Sequence, residues 1–130
     1  MRRVLAVVLG LCLALNALLM LVVPAEWYAA VPGVTESGPF NAHFVRDIGA
    51  ACLVAAAALC CFAVTAQARA AAQAGAAFLA LHALVHLWDV AAGREQAHQL
   101  LLDLTTVFLP AALAVWIVWP PHQPHHGETP

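Results

Sequence analysis

Four long apolar runs, 4–23, 40–66, 70–92 and 97–119, are separated by short polar breaks along this chain. Each reaches the about 20 apolar residues that a helix needs to cross roughly 30 Å of hydrocarbon. The first holds a single polar side chain, Asn16, and the second confines its polar groups to its first two turns. Lipid offers no partner to free backbone N–H and C=O groups, so these runs predict helices. The apolar/polar alternation of a transmembrane barrel is absent. Very short links at 67–70 and 93–96 force antiparallel neighbours, so the expected architecture is an all-α, integral membrane four-helix up-down bundle. The longest link, 24–38, carries turn signals at Pro32-Gly33 and Gly38-Pro39. Pro39 suits the first turn of the second helix, where its missing N–H does no harm.

Composition narrows the class. Of 130 residues, 64% are hydrophobic and 9% charged, against about 25% charged in an average soluble domain. Five Arg, no Lys and seven acids leave no basic patch for phosphates, which excludes nucleic acid as a partner. The length suits one domain, residues 1–119, followed by a Pro/His tail at 120–130 that is expected to be disordered. Arg2 and Arg3 before the first run also suit a signal peptide. The apolar stretch exceeds the usual 7–15 residues and the cleavage site is poor, so a retained span is expected. Arg2, Arg3 and Arg69 then fall in the cytoplasm, with Arg46 and Arg94 on the other side and both termini inside, in a bacterial inner membrane. Trp27 and Trp88 are expected at the outer interface, Trp116 and Trp119 at the inner one.

The few polar groups are not scattered. The second run opens with Asn41, His43, Arg46 and Asp47. The third closes with His82, His86 and Asp89, and the fourth opens with His98, Gln99 and Asp103. In an up-down bundle these three ends share one side. At 1.5 Å per residue, Asp47, His86 and Asp103 each lie roughly 10 Å from the end of their run, with His82 about one turn deeper. His43 and Asp47 stand at i, i+4; His82, His86 and Asp89 form one stripe, and Gln99, Asp103 and Thr106 another. Ionisable groups within spans are costly, so these stripes are expected to turn inward.

Three kinds of chemistry suit such a layer. His at i, i+4 with carboxylates from neighbouring helices is a ligand pattern for transition metals, here His43, Asp47, His82, His86, Asp89 and Asp103. The match to soluble di-iron bundles is partial, because those use Glu-x-x-His pairs; bis-His haem is a further option. A His/Asp relay for protons or a small solute is the second reading. The third is a structural network in which Arg46 pairs with Asp89 or Asp103, at about 0.6 kcal/mol per contact. Arg46 against three Asp leaves two surplus negative charges, which favours a protonated His, a neutral acid or a bound cation.

Cys12, Cys52, Cys60 and Cys61 lie within the runs and read as small hydrophobes, and His122, His125 and His126 as part of a solvated tail. The small residues opening the third run let helices approach closely, and Pro110 is expected to kink the fourth helix. No nucleophile elbow, phosphate loop or zinc-protease motif is present, so the reading leans away from an enzyme.

The segment Gly38-Pro39-Phe40-Asn41-Ala42-His43-Phe44-Val45-Arg46-Asp47-Ile48-Gly49, after a span ending in Pro and a Trp-Tyr loop, resembles a group of small four-span bacterial membrane proteins. More distantly it is similar to the DoxX-like superfamily, where an Arg/Asp-containing segment also opens the second helix. That resemblance implies a four-helix fold in the cytoplasmic membrane and a partner complex, since some DoxX-type proteins are accessory subunits of respiratory oxidases. It assigns no role to His82, His86 or Asp89. The expected function is a small inner-membrane binding or accessory protein, with a metal ion or cofactor in a His/Asp-lined site in the outer half of the bundle. The alternatives are a proton or solute carrier, and a structural subunit of a larger membrane complex or homo-oligomer.

Overall fold

A computed structural model describes residues 1–94 and 96–119 of the chain. The expectation for the tail at 120–130 falls outside the described residues. Those described form helices and no strand: α1 (Arg2–Val22), α2 (Pro24–Ala30), α3 (Ala42–Val64), α4 (Arg69–Ala91) and α5 (Gln99–Val118), with single 3-10 turns at Val34–Glu36 and Ala66–Ala68. Four of the five, all but α2, are long and apolar enough to cross a membrane. Their positions follow the four apolar runs to within a few residues.

Local chemistry sets several boundaries. Asn41 stops α3 short of Phe40, because its side chain accepts hydrogen bonds from the backbone N–H of His43 and Phe44 at 3.0 and 3.2 Å. This satisfies donors that the first helical turn otherwise leaves open. Pro24, which reads as the end of the first run, instead begins α2. A proline lacks the N–H that a first-turn residue has no use for.

Small residues determine how α1 and α3 meet. Along α1 the buried positions are Ala6, Leu9, Gly10, Leu13, Ala17 and Met20; along α3 they include Val45, Gly49, Cys52, Ala56 and Leu59. Both sets recur every three or four residues, one face of a helix. A Cβ on Gly49 would stand 2.8 Å from Met20 Cβ and 3.2 Å from the Ala17 carbonyl oxygen. The backbones approach too closely there for any side chain. Ala72, Ala76 and Leu79 of α4 and Ala111, Ala114 and Ile117 of α5 complete the apolar core.

Hydrogen bonds locate the helix ends. Arg2 Nη1 donates to the Trp119 carbonyl at 2.6 Å and Arg69 Nη1 to the Val118 carbonyl at 3.1 Å, so the starts of α1 and α4 flank the end of α5. The Arg2 guanidinium also lies over the Trp116 ring, 4.8 Å from its centroid. At the other end, Arg46 near the start of α3 donates to the Leu21 carbonyl of α1 at 3.2 Å.

α5 contains a π-helical turn, Leu104–Phe108, in which the Leu109 N–H reaches back to the Leu104 carbonyl. Pro110 follows and has no N–H to offer the Thr106 carbonyl four residues earlier, so the ladder is already interrupted there. Gln99 and Asp103 are buried before this turn, and Ala111, Ala114 and Ile117 after it, so both stretches of α5 face the bundle.

The Gly49 contact yields a direct test. Gly49→Val is expected to destabilise the folded protein by about 1–3 kcal/mol, as overpacking does in tight cores. Thermal unfolding in mild detergent measures this, with Ala57→Val on the exposed face of α3 as the neutral reference.

Candidate functional site

Near the Asn41 end of α3, the helices do not close. A cavity of about 470 Å³ lies between α1, α3, α4 and α5, beneath α2 and the chain that follows it. Its walls are largely apolar, with Leu13, Met20, Ile48, Leu79 and Val107 among them. Polar groups gather on the α4–α5 side: His82, His86, Gln99, Asp103 and Thr106.

The strongest contact there joins α4 to α5. His86 Nδ1 lies 2.8 Å from Asp103 Oδ2, with side-chain exposures of 22% and 6%. A carboxylate this buried requires a hydrogen-bond partner, and a charge-assisted bond is the most effective kind. His82, one turn deeper, meets His86 edge-on with ring centroids 4.9 Å apart, and stacks on Phe78 at 6.1 Å. The i, i+4 spacing on α4 produces the His82–His86 contact. Asp103 reaches His86 from the first turns of α5.

Other members of the expected site lie elsewhere. His43 and Asp47 pair at 3.4 Å on the outward face of α3, with side chains 87% and 61% exposed. Gly49, two residues on, must face α1, which turns Asp47 away from the interior. Asp89 belongs to the end of α4. Gly93 adopts a positive φ of 69°, the chain folds back, and Arg94 Nη1 donates to Asp89 Oδ1 at 2.8 Å. Arg46, expected to pair with Asp89 or Asp103, instead meets the Leu21 carbonyl, an open acceptor at the end of α1. Among the described residues, no group of three or more His, Cys, Asp or Glu is arranged to hold a metal ion. The six residues of the expected metal set therefore divide into His82, His86 and Asp103 on the cavity, an exposed pair, and a helix-end contact.

Two contributors have only a faint signature in the sequence. Asn16, alone among apolar neighbours in α1, accepts a hydrogen bond from Trp27 Nε1 at 2.9 Å. Tyr28 donates through its hydroxyl to the Gly38 carbonyl at 2.5 Å and packs on Phe40 with centroids 5.2 Å apart. Both bonds draw α2 and the following loop over the cavity. Glu36 and His98, 3.2 Å apart, tie that loop to the residue before α5. A lone polar residue in an apolar run was the available signal for Asn16, but its partner lies in a link of no regular pattern.

No family model, curated protein or solved structure matches this chain.

The difference between the two His–Asp pairs is measurable. His86→Ala leaves the buried Asp103 carboxylate without its partner and is expected to cost about 1–3 kcal/mol of stability. His43→Ala removes an exposed pair and is expected to change stability by less than about 0.5 kcal/mol. Chemical or thermal unfolding of both variants in one detergent provides the comparison.

Proposed function

We propose that this chain is a multi-pass membrane protein, an up-down four-helix bundle, which binds a small organic molecule in the cavity beside His86 and Asp103. The observation that carries this reading is the cavity itself: about 470 Å³, apolar for most of its wall, with the buried His86–Asp103 pair on one side. Ligand sites of small molecules commonly have this size and this division between apolar wall and a few polar groups. The contacts of Arg2 and Arg69 with the end of α5 support the up-down arrangement. With Arg2, Arg3 and Arg69 in the cytoplasm, the cavity belongs to the outer half of the bundle. The resemblance of residues 38–49 to small four-span membrane proteins agrees with placement in a bacterial cytoplasmic membrane and with service as an accessory subunit.

Metal binding at the six-residue set has less support, because His43, Asp47 and Asp89 stand away from His82, His86 and Asp103. A through-membrane proton path also has less support. Below His82 the core of α4 and its neighbours is aliphatic, with Leu79, Ala76, Ala72, Leu59 and Ile117.

Native mass spectrometry on protein taken from its membrane in mild detergent tests the binding reading, with metal analysis on the same sample. A bound organic molecule near one per chain is expected, lost when Val107→Trp fills the cavity. Preparations that are consistently empty, or whose bound molecule is indifferent to Val107→Trp, would overturn it.

A further inference from the structure

The polar chemistry of the cavity wall is lopsided. Several of its hydrogen-bond donors are engaged: the Trp27 N–H with Asn16, the Tyr28 hydroxyl with Gly38, the Ser37 hydroxyl with the Val34 carbonyl, and the Thr106 hydroxyl with the Leu102 carbonyl, leaving the side chains of His82, Asn41 and Gln99 as donors on the wall. His86 Nδ1 is engaged with Asp103. Acceptors are left over. Gln99 is 4% exposed, yet its Oε1 is buried with no hydrogen-bond partner among the described residues. An unpaired buried acceptor costs about 1–3 kcal/mol, and a donor held in the cavity, met by a small rotation of the Gln99 amide, would relieve it.

Position reinforces the point. Gln99 packs against the backbone of Gly33, so its side chain is held in place from the loop above. Asp103 lies one helical turn below on the same face of α5, and its carboxylate has only His86 as a partner among the described residues. Among the described residues, no Lys or Arg lines the cavity and Asp103 is its only carboxylate. An anionic ligand would meet a negative charge and find no countercharge.

We propose, building on the binding reading above, that the cavity takes a lipophilic molecule with a hydrogen-bond-donating head group, an amine or an alcohol, and rejects a carboxylate on the same body. The head group lies between Gln99 and Asp103. The apolar body lies against the aliphatic wall and the rings of Trp27, Tyr28 and Phe44, whose faces also favour a cation.

The test uses the full chain in lipid nanodiscs with Trp27 as the only tryptophan, through Trp88→Phe, Trp116→Phe and Trp119→Phe. Three probes share one apolar body: 4-phenylbutylamine, 4-phenylbutanol and 4-phenylbutyrate. Saturable changes in Trp27 fluorescence are expected for the amine and the alcohol, with the carboxylate at least tenfold weaker. Gln99→Leu is expected to weaken the amine and the alcohol about tenfold, and Asp103→Asn to abolish the preference for amine over alcohol. Unchanged thermal unfolding qualifies each variant, and the comparison among probes on the parent protein needs no variant. Equal binding of all three probes, or tighter binding of the carboxylate, overturns the head-group assignment while the cavity reading stands. Absence of any saturable response, together with an empty native mass spectrum, overturns both.

Discussion

A carboxylate buried among aliphatic helices must find a partner inside the protein, and the arrangement of this molecule's polar half follows from how Asp103 does so. Its partner, His86, is on α4, so the hydrogen bond between them ties α4 to α5 near the open end of the bundle. For Asp103 to reach it, α5 has to turn that side chain inward while also burying Ala111, Ala114 and Ile117 further along. A π turn before Pro110 lies between the two stretches, at a place where the backbone ladder is already interrupted.

The closed half and the open half of the bundle have a common origin. Gly10, Ala17, Gly49 and Ala56 bring α1 and α3 nearly into backbone contact, with Ala72 and Ala76 extending the small-residue surface onto α4. Where such residues face each other, no space remains. Toward the Asn41 end, His82, His86, Gln99 and Asp103 of α4 and α5 stand across a chamber from α1 and α3. The Trp27–Asn16 and Tyr28–Gly38 hydrogen bonds then draw the connecting segment across it. A cavity roofed in this way has Leu13, Cys52 and Leu79 on the opposite wall.

The candidate site was only partly legible in the order of residues. His82 and His86 share a stripe because i, i+4 spacing fixes their neighbourhood within one helix, and Asp103 lies at the same level because helical rise is constant. Depth, however, says nothing about azimuth. His43, Arg46 and Asp47 occupy the expected level, but the tight approach at Gly49 determines which side of α3 faces inward, and these three are on the other sides. Asp89 was lost to a nearer partner, since Gly93 lets the chain turn back and bring Arg94 within reach. A count of charges per layer could not distinguish a residue turned into the cavity from one turned away.

What the sequence alone determined is the set of membrane-length helices, their order and the side on which polar groups collect, because hydropathy and helical rise are properties of local stretches. Tertiary structure decided which of those groups meet. It also decided that α2 folds over the open end, that a π turn interrupts α5, and that Gln99 has an acceptor without a partner among the described residues. Those outcomes depend on how closely one helix approaches another, and that distance is fixed by pairs of residues far apart in the chain.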